Sequence, residues 1–300
     1  MSKKIGHYLL VTLKGLCMGA ADVIPGVSGG TIAFLTGIYG ELIESIKSVD
    51  LEAIKLLFTG KFRQFWKKIN GNFLLSLVLG ILISIFSFAK VMQYLLVHHP
   101  IPLWSFFFGL ILASPIYIIK EIEGKKLIHL LPTIVGIAVG VLICLISPTE
   151  TTDALWFIFI CGAIGICAMI LPGISGSFVL LLLGKYAYII GAVSDLNIPV
   201  LLVFAAGAII GIIMFSKFLS WLLKKAYNGT LFFLSGLMIG SLVKVWPWKK
   251  VLESGVDRPV LPGDYAGDPQ LLQAIIWFLV GVLLLFGIEF MAKKLKSSKQ

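Results

Sequence analysis

The residues best suited to chemistry lie in two short runs. Ile24-Pro25-Gly26-Val27-Ser28-Gly29 continues into Gly30 and Thr31, and Leu171-Pro172-Gly173-Ile174-Ser175-Gly176 continues into Ser177. Each run interrupts a long apolar stretch. Lipid cannot satisfy backbone groups freed by a proline, so such breaks persist where the backbone is buried in protein or lines a watery cavity. Pro25 and Pro172 suit the first turn of a half-helix, which needs no amide hydrogen there. The glycines permit close approach to the backbone, and Ser28, Thr31, Ser175 and Ser177 add hydroxyl donors. A helix starting at such a point presents free amides and a partial positive charge, the chemistry of an anion site. A kink serving only helix packing is the competing reading. Duplication of the whole motif favours the site.

Three further residues could act on such an anion. Asp22 is the only carboxylate in the first motif segment, and the equivalent position in the second is Met169. Since burial favours a carboxylate's protonated form, Asp22 is a proton-coupling candidate; an ordinary helix-end acceptor is the alternative. Lys90 and Lys217 are equivalent lysines inside otherwise apolar stretches. Intramembrane charges are candidates for function, here for drawing an anion in, although each is near enough to its span end to reach the headgroups.

The elements that must position these residues are membrane helices. Of 300 residues, 58% are hydrophobic and 13% charged, against about 25% charged in soluble domains. The apolar runs are too long for outer-membrane strands, which alternate over about ten residues. The net charge of +10 comes almost wholly from lysine, with Arg63 and Arg258 both outside the apolar runs. Orientation in a bilayer explains this surplus, and no nucleic acid is needed. The four cysteines match no metal or redox spacing, so no metal and no cofactor is expected.

The chain is internally duplicated. Gly37 and Tyr39 recur as Gly184 and Tyr186 at the motif's own offset of 147. Gly80, Phe88, Lys90 and Gly109 recur as Gly207, Phe215, Lys217 and Gly236 at 127, and Gly140-Val141 recurs as Gly281-Val282 at 141. Residues 1–148 form one repeat with a charged, amphipathic insertion at 41–72, and residues 149–300 form the other with a hydrophilic loop at 244–270. Full spans are predicted at 73–96, 101–119 and 127–146, then at 200–223, 229–246 and 271–291. The broken segments 5–46 and 154–194 are either re-entrant hairpins or pairs of tight spans, and each returns the chain to its starting side. Three net crossings per repeat require inverted topology. The fold class is all-α, a polytopic membrane protein of two inverted repeats. Lysine-rich segments place both termini and the insertion in the cytoplasm. The 244–270 loop breaks that rule, with Lys244, Lys249, Lys250 and Arg258 facing out, offset by Glu253, Asp257, Asp264 and Asp268.

The run Gly19-Ala20-Ala21-Asp22-Val23-Ile24-Pro25-Gly26-Val27-Ser28-Gly29-Gly30-Thr31, with Leu171 to Ser177 and Phe108-Gly109-Leu110, resembles the bacterial polyprenyl-phosphate transporter family over nearly the whole chain. The resemblance implies a flippase in the bacterial cytoplasmic membrane. It would return undecaprenyl phosphate from the outer to the inner leaflet for reuse in cell-wall synthesis, with proton or cation coupling an option. The motif amides with Ser28 and Ser175 would cradle the phosphate, and Lys90 and Lys217 would draw it in from either leaflet. A soluble-anion transporter built on the same half-helices is the alternative. A lipid phosphatase is disfavoured, because no arginine, histidine or carboxylate pair stands beside either serine in sequence to stabilise charge and move protons.

Overall fold

A computed structural model describes residues 2–22, 28–122, 124, 127–146, 151–251 and 257–297. Pro25, Gly26 and Val27, and the side chain of Lys90, lie outside the described residues. The chain is almost wholly helical. The first half contains α1 (Ser2–Asp22), α2 (Gly29–Leu35), α3 (Tyr39–Lys47), α4 (Leu51–Phe58), α5 (Phe62–Lys68), α6 (Gly71–His98), α7 (Pro100–Glu121) and α8 (Leu130–Leu145). The second contains α9 (Leu155–Ile170), α10 (Gly176–Leu182), α11 (Tyr186–Ser194), α12 (Ile198–Lys225), α13 (Tyr227–Val245) and α14 (Leu271–Ser297). Between α13 and α14 the chain adds a small antiparallel pair, β1 (Lys249–Val251) and β2 (Asp257–Pro259), which the polar composition of that loop does not foretell.

All six predicted spans fall on helices. Pro100–Lys120, Leu127–Leu145, Ile198–Lys225 and Tyr227–Val245 are each long and apolar enough to cross a membrane. The elements recur in order: α2 and α10 have 7 residues each, α3 and α11 have 9, and α6 and α12 have 28. Since α3 has α11 as its counterpart, the material peculiar to the first half is α4 and α5. These two carry exposed Leu51, Phe58, Phe62 and Trp66 among Lys55, Arg63 and Lys67, a composition suited to a bilayer surface. Lys68 ties them together through ion pairs to Asp50, at 3.0 Å, and Glu52. The Ala53 amide, with Lys68 beside it, holds the Asp50 carboxyl below the usual carboxylate range.

The helices form two compact units that cut across the repeats, one of Met1–Met92 with Pro148–Thr230 and the other of Gln93–Ser147 with Leu231–Gln300. In the first, α1 packs on α6 and α9 on α12 through the same contacts. A side chain at Gly15 would overlap the Leu77 carbonyl, and one at Gly80 the Thr12 carbonyl. One at Gly162 would overlap the Phe204 carbonyl, and one at Gly207 the Phe159 carbonyl. Glycine brings these backbones together, as expected where lipid supplies no hydrophobic drive between helices. Large apolar side chains such as Phe86, Leu202 and Met214 instead face outward.

In the second unit α7 pairs with α14 and α8 with α13. Gly109 abuts Phe278 and Gly281 abuts Phe106, while Gly236 abuts Thr133 and Gly136 abuts Phe233, each on the carbonyl oxygen. Thus Gly136, not Gly140, is the counterpart of Gly281, at an offset of 145. The sequence alignment of the last helix is one turn out of register.

Valine at Gly80 or Gly207 is expected to cost roughly 1–3 kcal/mol or more through overpacking, whereas Gly191→Ala, with open space around it, should be nearly neutral. Thermal unfolding of the purified protein in detergent checks the contrast; equal midpoints for Gly207→Val and Gly191→Ala would refute it.

Candidate functional site

The described part of the first motif, Ser28 to Thr31, and the whole of the second lie in the first unit, each where one helix turns back along another. In the first hairpin α2 runs back along α1: Asp22 meets Gly29, and Lys14 Nζ donates to the Thr36 carbonyl at 2.6 Å. In the second, α10 runs back along α9, with Gly176 against Met169 and Gly165, and Leu180 beside Gly165. Helix α9 rises about 1.5 Å per residue over 16 residues, about 24 Å, short of a roughly 30 Å hydrocarbon core. After α10 the chain bends by 112° into α11. The corners fall at Gly37 and Gly184, with φ of 70° and 64°, a conformation that disfavours a side chain.

The two tips bind each other. Ser28 Oγ lies 3.1 Å from the Met169 carbonyl and 3.3 Å from the Leu171 carbonyl and shares its proton between them. Those carbonyls end α9, where the helical ladder stops; the Leu171 carbonyl also accepts from the Ile174 amide at 3.4 Å. In return the Gly173 amide donates to Thr31 Oγ1 at 2.8 Å. Gly173 has φ of 89°, which lets the chain turn its amide towards α2. A side chain at Gly30 would overlap the Ile170 carbonyl, so the crossing tolerates only glycine there.

The helix starts behind the tips are unequal. At α2 the Gly29 amide donates to Asp22 Oδ1 at 2.6 Å, and the Gly30 amide to Ser28 Oγ at 3.1 Å. A carboxyl group therefore already sits on this helix start. At α10 the cap residue Ser175 makes no side-chain cap bond; its hydroxyl meets that of Ser177 at 2.8 Å. The place on Gly176 that corresponds to the Asp22 carboxylate on Gly29 is filled by the Met169 side chain. Ile174 and Ser175 are buried, as are Ser28, Gly29, Gly30 and Thr31.

Lys217 is exposed on α12, with no hydrogen bond to either motif among the described residues. Two other lysines take structural places at the hairpins. Lys14 meets the end of α2, as above. Lys185, only 4% exposed, donates to the Thr151 carbonyl at 2.7 Å and pairs with Asp153 at 2.6 Å. Lys185 interrupts the repeated Gly-x-Tyr, where the first half has Ile38, and that departure from symmetry was the signal available in sequence. At the far end of the hairpins, Asn70, just before α6, donates to Glu41 at 3.0 Å, while Ser220 and Lys224, near the end of α12, bind Glu44 at 2.5 and 3.1 Å.

The family model described as VCA0040-like, undecaprenyl phosphate translocase-like, matches residues 18–259. The chain belongs to the undecaprenyl phosphate translocase-like family. It is 46% identical over 308 aligned positions to a polyprenyl-phosphate transporter of Vibrio cholerae serotype O1 (strain ATCC 39315 / El Tor Inaba N16961), covering 98% of this chain and 100% of that one. It is 35% identical over 253 positions to a polyprenyl-phosphate transporter of Staphylococcus aureus (strain NCTC 8325 / PS 47), covering 78% and 85%. No solved structure matches it. The match of this translocase-like chain includes both hairpin tips, α6 to α8 and the β-pair.

Because Ser28 caps α2 and bonds across the tips while Ser175 caps nothing, the two serines should differ in structural weight. Ser28→Ala is expected to lower stability by about 1–2 kcal/mol, and Ser175→Ala by clearly less. Thermal unfolding of the two variants in one detergent decides; a larger loss for Ser175→Ala would contradict the capping scheme.

Proposed function

We propose that this protein is a flippase that returns polyprenyl phosphate to the inner leaflet of the bacterial cytoplasmic membrane, and that it is a transporter without enzymatic activity. The family and the names of its relatives supply the substrate class. The observation that carries the mechanism is the crossing of two broken-helix tips in one unit, with a carboxylate on one helix start and no side-chain cap on the other.

In this reading the phosphate engages the α10 start, where the Gly176 and Ser177 amides and the Ser175 and Ser177 hydroxyls converge, while the polyprenyl tail stays in lipid. The α2 start, with Ser28 to Thr31, is the second seat. Asp22 holds it until protonation weakens the bond to Gly29 and lets a phosphate oxygen take over. Proton and substrate binding then favour each other, and transport is coupled to inward proton movement. The Met169 side chain gives the other seat no such dependence. Lys90 and Lys217, near the ends of α6 and α12, would attract the headgroup at the two leaflets.

Inverted topology is part of the proposal. Helices α6 and α12 are counterparts, yet the start of one and the end of the other both meet α3, through Asn70 with Glu41 and Lys224 with Glu44. Counterparts running in opposite directions support an inverted repeat, with both termini cytoplasmic and the hairpins re-entrant. Single cysteines replacing Asn72 and Asn197 are therefore expected to react with an impermeant thiol reagent from opposite faces of the membrane, in a background lacking the native cysteines. Reaction of both from one face would overturn the inversion.

Reconstituted protein should move polyprenyl phosphate between leaflets and leave a soluble anion such as inorganic phosphate where it is. Wild-type transport should strengthen as pH falls, because the protonated form of Asp22 frees the seat. Asp22→Asn should still move lipid, with that pH response flattened and gradient-driven accumulation lost. Wild-type pH response in Asp22→Asn would reduce Asp22 to a cap, and movement of phosphate alone would sink the lipid reading.

A further inference from the structure

The loop between α13 and α14 carries cations that this mechanism leaves unused, on the face where basic residues are ordinarily scarce. Its strands pair with Lys250 directly opposite Arg258. Residues so placed share a face, with Cβ atoms about 5 Å apart, and like charges there repel. Both side chains are exposed, and neither forms an ion pair among the described residues. Lys249, on the other face, lies over the Trp104 ring at 3.3 Å and pins the strands to α7.

Two residues along the strands from this pair lies an aromatic recess. Trp246 Nε1 donates to the Val260 carbonyl at 2.8 Å, and Trp248 Nε1 to the Pro269 carbonyl at 2.9 Å. The Val260 amide donates to the Trp248 carbonyl at 3.0 Å, which extends the ladder by one step and gives Trp248 the same strand parity as Lys250. Trp246 and Trp248 with Phe108, Ala274 and Phe278 line an apolar pocket. The hydroxyl of Ser105, a residue 2% exposed, belongs to that lining and has no hydrogen-bond partner among the described residues.

We infer that this hairpin is a capture site for the phosphomonoester headgroup of a polyprenyl phosphate in the leaflet it faces, Lys250 and Arg258 taking the phosphate and the recess beneath Trp246 and Trp248 the first isoprenoid units. Charge selects this occupant. A phosphomonoester carries about −1.5 to −2 near neutral pH, whereas the phosphodiester of a bulk anionic lipid carries a single charge, so two fixed cations side by side match the former. The arginine fork suits phosphate oxygens, and a dianion lying between the two cations relieves their repulsion more fully than a single charge does. The site rests on the transport reading and adds to it a first station, separate from the motif tips.

The test uses full-length protein in proteoliposomes, with polyprenyl monophosphate in the leaflet bearing the hairpin. Lys250→Gln/Arg258→Gln should raise the half-saturating mole fraction roughly tenfold, as for loss of a charge-assisted hydrogen bond, with the maximal rate unchanged; Lys250→Arg should behave as wild type. A photoreactive polyprenyl monophosphate should label the Trp246–Trp248 segment in the wild type and lose that labelling in the double variant, a readout independent of transport. Labelling that persists without the two cations overturns the site, as does equal competition by phosphatidylglycerol. Labelling that depends on the cations in a wild-type protein that moves no lipid would overturn the transport reading and leave the capture site standing.

Discussion

The exchange of hydrogen bonds between the two hairpin tips is the constraint on which the first unit depends. A proline break inside an apolar helix leaves carbonyls without donors and amides without acceptors, and a hydrocarbon surrounding offers neither. Here one tip's hydroxyl serves the other tip's carbonyls, and one tip's amide is served by the other's threonine. Neither break is stable alone, because each uses its partner as solvent. The substrate path proposed above shares Ser28 and Thr31 with this crossing, so two of the groups that join the tips would also handle an anion.

Within each unit the packing is reversed from that of a soluble protein. Glycines press backbone against backbone between α1 and α6, α9 and α12, α7 and α14, and α8 and α13, while many large apolar side chains face outward. Close backbone contact leaves little room for sliding within each pair. The softer joints in the first unit are the tip crossing and the ion cluster of Glu44, Lys47 and Lys224, made of side chains that can exchange partners.

Much of this was legible in the sequence, and the exceptions have physical reasons. Span ends were close because a helix leaves the bilayer where polar residues begin: 73–96 became Gly71–His98 and 101–119 became Pro100–Glu121. The motif segments were recognised as broken, but not that Asp22 would cap the following helix, since that bond depends on α2 folding back seven residues later. The last helix was aligned one turn out because residues four apart share a helix face, and the matching Gly-Val pair fixed on the wrong turn. The β-pair left no trace, for Lys-Lys-Val and Asp-Arg-Pro show no alternation of polar and apolar residues. Lys185 passed unnoticed because its counterion, Asp153, sits 32 positions away in the loop before α9.

That ion pair bears on how the chain is made. Helix α10 is 7 residues long and α11 is 9, too short for either to hold in a bilayer alone, and a lysine stands at the corner between them. A buried charge is tolerable only once its partner is in place. Asp153 and Thr151 leave the ribosome before Lys185, so this buried lysine arrives after its partners; in the first half the order is the reverse, and Lys14 emerges before the Thr36 carbonyl it binds. In the first half the earlier helix, and in the second the loop leading into it, carries one member of the polar bond that receives the later hairpin arm. For Lys185 the order of translation thus matches the order in which its charge is neutralised, and a circularly permuted chain beginning at Gly176 would have to insert Lys185 before its partner exists.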